Sequence, residues 1–186
     1  MEEAPKYNII EFRGELLFPG FSIYLFEIIK DSEKHFYIGM TGDNHYPSAR
    51  SILHRLAGHI DLLKHSTQNQ LIVGVKNLFN KKLDEDLTLA ELKTLNIKLH
   101  HWPIEGFVKW GNSMNNINKS LNEYKKYKEI QQKVLALENK LIHDFETRLF
   151  NDTNGKLNNT LEPEYLSIYN AVRDIIEPWM SGRNIN

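Results

Sequence analysis

Phe21-Ser-Ile-Tyr-Leu-Phe-Glu-Ile-Ile29, the polar break Lys30-Asp-Ser-Glu-Lys34 and His35-Phe-Tyr-Ile-Gly-Met-Thr41 decide how this chain begins to fold. Both apolar runs are rich in β-branched and aromatic residues, the side chains that fit a pleated, largely buried surface. The break between them is too short for a crossover helix, so the two strands must pair antiparallel as a hairpin. Tyr24 and Tyr37 then lie on neighbouring strands.

Beyond the hairpin, Gly42-Asp43-Asn44-His45-Tyr46-Pro47 reads as a loop by its turn residues. Ser48 or Ser51 then caps a helix running to about Lys64. On that helix Ile52, Leu56, Ile60 and Leu63 form an apolar stripe, with Arg55 and His59, four residues apart, sharing a face at its border. A second helix is predicted from about Gln68 to Phe79, and a short one from Leu87 to Leu95. Lys98-Leu-His-His-Trp-Pro103 and Gly106-Phe-Val-Lys-Trp110 read as strand, with Pro103 at an edge or a break because it cannot donate to a ladder. From Ser113 the chain is polar and then helical through about Leu149. A last helix is predicted from Glu162 to Ile176.

The chain has 186 residues, enough for one substantial core and no reason for two, so residues 1–186 are read as a single domain. With 41% hydrophobic and 25% charged residues it has the balance of a folding globular chain. There is no apolar run of spanning length, and Met1-Glu2-Glu3-Ala4-Pro5 lacks the basic and apolar start of a signal peptide, so the expectation is a cytoplasmic protein with no membrane partner. Cysteine is absent, which excludes disulfides, thiolate metal sites and a cysteine nucleophile and leaves oxygen or imidazole to hold any metal. A net charge of -1 is not that of a strongly basic nucleic-acid binder. Two lysine clusters (Lys119, Lys125, Lys126, Lys128 and Lys133; Lys76, Lys81 and Lys82) could supply a local phosphate-binding surface, although solvated helix faces explain them equally well. Trp102, Trp110 and Trp179 are candidates for base stacking, with core packing the plainer role. There is no internal repeat, glycine-rich phosphate loop or HxxxH metal spacing.

Glu138 is the most informative single position. At about 100° per residue, Val134, Leu135, Leu137, Leu141, Ile142, Phe145 and Leu149 form one apolar arc, and Glu138 falls near its middle. A buried lone carboxylate costs several kcal/mol, so it must be paired, protonated or bound to a cation. A buried ion pair or a wet arc edge accounts for it on pattern alone; the sharper reading is a ligand for Mg²⁺, whose shell is completed by water and substrate phosphate. Arg55 suits two-pronged phosphate binding and His59 proton exchange, though each is by itself an ordinary helix-border residue.

Taken in order, these residues resemble the GIY-YIG endonucleases. Ser22-Ile23-Tyr24 stands for the first motif, with serine in place of its first glycine, and Tyr37-Ile38-Gly39 for the second, intact, followed by Thr41. His54-Arg55-Leu56-Ala57-Gly58-His59 resembles the arginine helix with a histidine four residues on. Glu138-Asn-Lys-Leu-Ile142 is similar to the metal-binding glutamate and its aliphatic pair. Asn151 stands near the late asparagine, with Asn154, Asn158 and Asn159 as rivals.

The resemblance covers about 21–151 and implies an α/β (α+β) fold: a small three-stranded antiparallel sheet flanked by helices, with extra helices. About 67–133 is then a helical insertion and 160–178 a C-terminal helical extension. The implied activity is hydrolysis of phosphodiester bonds in DNA by an endonuclease using one Mg²⁺ or Mn²⁺, in a restriction-like, repair or mobile-element role. Glu138 would hold the metal, Tyr24, Tyr37 and His59 would orient and deprotonate water, Arg55 would neutralise developing charge, and Asn151 would complete the set. Double-stranded DNA is the implied partner, and cutting both strands with one site per chain favours a homodimer. The alternative is an inactive nucleic-acid-binding module on the same fold.

Overall fold

The computed structural model describes residues 11–42, 49–60, 70–104, 119–146, 149–151 and 161–180. Strands β1 (Phe21–Lys30) and β2 (Glu33–Thr41) form the predicted hairpin, and β3 (Asn96–Ile104) pairs antiparallel on the other side of β1. The sheet order is β2-β1-β3. Its turn is tighter than the polar break implied: Lys30 pairs with Glu33, and Asp31 and Ser32 both take positive φ, 51° and 69°. Two consecutive left-handed residues give the hairpin turn whose twist matches that of the strands.

Around the sheet lie α1 (Ile52–His59), α2 (Gln70–Leu78), the short α3 (Leu89–Leu92), the long α4 (Asn122–Phe145) and α5 (Leu166–Met180), with 3₁₀ turns at Gly14–Leu17 and Pro163–Tyr165. β1 is buried from Phe21 to Ile28 and mostly apolar because helices cover both its faces. Phe21, Ile23, Leu25, Phe36, Ile38 and Met40 point toward α4 and α5, where they meet Val134, Leu137, Leu141, Val172 and Ile176. Tyr24, Phe26, Ile28 and Tyr37 point the other way, into a smaller core with Ile52, Leu71 and Val75 from α1 and α2. The period-two alternation of a strand thus assigns each side chain of the hairpin to one of two cores.

Several boundaries differ from the sequence reading. Ser51, not Ser48, caps α1, its hydroxyl accepting from the His54 N–H at 3.3 Å. α1 ends at His59, so Ile60 leaves the helical face and is exposed, while Leu63 lies outside the described residues. His59, read as a border residue, is buried, because the Tyr24, Phe26 and Tyr37 rings close around it. On α4, Leu135 is 43% exposed rather than part of the arc, since the buried sector is centred on the other side of Glu138. The helix stops at Phe145, and Leu149 instead bridges to Phe36 beside β2. Trp102 and Trp179 pack against the larger core; Trp110 and the strand read at 106–110 lie outside the described residues. Pro103 falls on β3, an edge strand where its missing N–H costs no ladder bond. The stretch read as an insertion supplies α2, α3 and β3, so it carries the third strand of the sheet.

Glu27 interrupts the apolar face of β1 and is 3% exposed. Lys34 lies 2.7 Å from its Oε1, His100 Nε2 lies 3.0 Å from Oε2, and Lys98 lies 3.8 Å away. Burial raises its pKa, but the bonds from Lys34 and His100 and the nearby lysine charges outweigh burial and hold the carboxyl below the usual glutamate value. A depressed carboxyl stabilises the fold above its unfolded pKa and loses that contribution as pH falls through the folded one. Glu27→Gln is therefore expected to lower stability by about 1–3 kcal/mol at neutral pH and to flatten the acid limb of a melting-temperature profile below about pH 4.5. Thermal unfolding across pH, followed by circular dichroism, checks this; a variant whose acid limb matches that of the parent would show that the cluster contributes nothing.

Candidate active site

The site begins with a glycine. Tyr24 and Gly39 are cross-strand partners, and a Cβ built on Gly39 would lie 2.3 Å from the Tyr24 hydroxyl oxygen and 2.4 Å from Cζ. The Tyr24 ring therefore lies flat over a strand position that only glycine leaves open. This close approach carries the hydroxyl to His59, whose Nε2 lies 2.7 Å away.

His59 comes from the last turn of α1 and is held by rings on three sides: its centroid is 5.6 Å from Tyr24, 5.0 Å from Tyr37 and 5.8 Å from Phe26. Arg55, one turn earlier on the same face, donates a hydrogen bond to the Tyr24 hydroxyl. Burial pushes the Tyr24 pKa up to about 12, against the lowering effect of Arg55. Burial pushes Tyr37 up further, with Tyr24 and Glu138 adding to the rise, so Tyr37 stays a neutral phenol throughout the working pH range.

Glu138 reaches the same place from the opposite side of the sheet. α4 packs on the larger core, yet the Glu138 carboxylate accepts a hydrogen bond from the Met40 N–H and acts electrostatically on both tyrosines. The strand order explains how. β2 is an edge strand, so the N–H and C=O groups of Phe36, Ile38 and Met40 that do not face β1 point outward along one line. Phe150 N–H donates to Phe36 O at 2.8 Å. The Asn151 carboxamide takes Ile38 on both sides, Oδ1 accepting from its N–H at 3.0 Å and Nδ2 donating to its C=O at 2.8 Å. Glu138 takes Met40, the next group in the line. Its carboxylate thus stands at the sheet edge, where an α4 residue can meet side chains of the other face.

Desolvation raises the Glu138 pKa to about 7, with the Met40 N–H and the Arg55 charge only partly offsetting it. A carboxylate whose nearby cation does not compensate its burial is suited to a divalent ion. Among the described residues no cluster of three or more acidic or imidazole groups forms a closed metal cage. A single carboxylate is a donor set that fits Mg²⁺ or Mn²⁺, hard cations held largely by water and phosphate oxygens.

Tyr24, Tyr37, Arg55, His59 and Glu138, widely separated in the sequence, are thus brought together. Asn151 lies alongside, with its amide engaged on the β2 backbone, which makes it a brace of the edge strand. Its rivals Asn154, Asn158 and Asn159 lie outside the described residues. Ser22, which the resemblance set in place of a glycine, has no positive φ and bonds Thr41 through the two hydroxyls at 3.1 Å, so ordinary strand geometry accommodates it. Of the lysines read as a phosphate surface, Lys76 is buried with Nζ donating to Leu83 O at 2.9 Å, and Lys81 pairs with Glu91 at 3.0 Å. The sequence reading missed Arg50, whose charge also acts on the Tyr24 hydroxyl. An arginine just before a helix cap carries no signal of its own. Comparisons with family models, with curated proteins and with solved structures gave no match.

Proposed function

We propose that this chain is a metal-dependent endonuclease of the GIY-YIG type that hydrolyses phosphodiester bonds in DNA. The observation that carries the reading is the Tyr24 hydroxyl lying 2.7 Å from His59 Nε2 and bonded by Arg55, with Glu138 beside it. A nucleophile-activating phenol, a base to receive its proton, a guanidinium for phosphate charge and a carboxylate for a cation are the parts that phosphodiester hydrolysis needs.

With a pKa near 12, Tyr24 is a poor base alone at neutral pH. Its hydroxyl takes a proton from the attacking water as its own proton passes to His59 Nε2, so the imidazole is the final acceptor. Arg55 stabilises the phenolate character that appears on Tyr24 and the charge growing on the phosphate. Tyr37 stays protonated and packs its ring against His59. Glu138 would hold the divalent ion, which supplies Lewis-acid withdrawal of charge from the phosphate and leaving oxygen. Asn151 braces the β2 edge, so that Met40 keeps Glu138 in register with the tyrosines.

Supercoiled plasmid incubated with the protein and Mg²⁺ or Mn²⁺ is expected to give nicked and linear products, and EDTA to stop the reaction. Binding to DNA without cutting, in either metal, would turn the reading to an inactive binding module.

A further inference from the structure

α1 opens with a second guanidinium near the site. Arg50 immediately precedes the cap residue Ser51, and its Nη1 lies 2.9 Å from His54 Nε2. A guanidinium has no acceptor, so the Arg50 N–H donates and His54 Nε2 is the lone-pair nitrogen. That bond fixes the plane of the Arg50 fork. Arg50 is half-buried and His54 exposed, which places the pair between the buried Tyr24–His59 contact and solvent.

Arg50 lies just before the cap of α1 and Arg55 in its first turns, and the charges of both act on the Tyr24 hydroxyl. Their roles differ: Arg55 bonds the hydroxyl itself, whereas Arg50 is tied to His54 at the rim. Two like charges beside one neutral phenol repel each other, and an anion carrying more than one charge relieves the repulsion. A nucleic-acid strand offers such an anion, because the phosphate being cut has another beside it.

We infer that Arg50, oriented by His54, binds the phosphate adjacent to the scissile one, so that the substrate is a strand with consecutive phosphates rather than an isolated phosphodiester. The inference rests on the nuclease reading and adds to it a requirement for substrate length. A planar fork on the flanking phosphate holds the strand in register while Arg55 addresses the reacting group.

The test is binding of a fluorescein-labelled double-stranded oligonucleotide in EDTA, followed by anisotropy from about 50 to about 200 mM salt. Loss of one phosphate contact in Arg50→Ala is expected to make the plot of log K against log salt shallower by about 0.9. Arg50→Lys keeps the charge and the slope while losing the fork. In cleavage, Arg50→Ala is expected to raise KM with kcat within about twofold, whereas Arg55→Ala lowers kcat. An unchanged slope in Arg50→Ala, with the parent protein binding DNA, overturns the inference and leaves the nuclease reading standing. A lowered kcat at constant KM also overturns it, because Arg50 would then act at the reacting phosphate. Equal losses of melting temperature in the Ala and Lys variants would assign Arg50 a packing role and overturn it too. If the parent protein shows no salt-dependent DNA binding, the nuclease reading fails, and this inference with it.

Discussion

Gly39→Ala is expected to cost about 1–3 kcal/mol of stability, the scale of forcing extra atoms into a packed core. It should also reduce the proposed nuclease activity by at least about a hundredfold, as misplacement of a catalytic group by about 1 Å does. The added methyl would meet the Tyr24 ring at 2.3–2.6 Å, far inside van der Waals contact. The ring is buried among Phe26, Tyr37 and His59 and has nowhere to swing without breaking its 2.7 Å bond to His59. Differential scanning calorimetry should show a fall of several degrees, since a domain of this size loses roughly 2–4 °C per kcal/mol. Combining Gly39→Ala with Tyr24→Ala should cost less than the sum of the single changes, because the methyl then enters space the ring has vacated. Strict additivity, or a Gly39→Ala protein as active as its parent, would show that the ring does not depend on that glycine.

Glu138→Gln separates function from folding. The proposed metal-dependent cleavage is expected to fall by about a hundred- to a thousandfold, the scale of removing a principal electrostatic group from a hydrolytic site. The metal-free fold should keep its melting temperature or gain slightly. Glutamine still offers an oxygen to the Met40 N–H, and the burial that raises the Glu138 pKa to about 7 disfavours the charged carboxylate that glutamine removes. Parallel plasmid cleavage and metal-free calorimetry read the two effects. Retained cleavage would remove Glu138 from the mechanism, and a large loss of metal-free stability would mark it as a structural partner.

The hairpin was legible because its signal is local: two β-rich runs and a break too short for a helix. The Tyr24–Tyr37 proximity followed from it, and proline's missing N–H placed Pro103 at an edge or a break. Glu138 was legible for a related reason, since periodicity alone shows a carboxylate inside an apolar arc. By contrast, Leu135 and His59 were misjudged because the width and direction of a buried sector depend on what packs against it, and the ring cage that buries His59 comes from two strands.

Asn151 shows the same limit more sharply. Four asparagines lie between α4 and α5, and nothing local distinguishes the one whose amide meets the Ile38 backbone from its rivals. Arg50 had no pattern at all. Its place by Tyr24 arises because α1 is docked against the hairpin, and a contact with that origin leaves no mark on neighbouring residues.

By itself, then, the amino-acid order determined the hairpin, the helical character of its flanks and the oddity of Glu138, all consequences of backbone periodicity and short-range turn geometry. Only the tertiary structure decided that Glu138 meets the tyrosines, because that meeting depends on β2 being an edge strand. Its outward N–H groups let a helix on one face deliver a carboxylate to side chains on the other. Strand order is a choice among long-range pairings, and no local interaction energy encodes it.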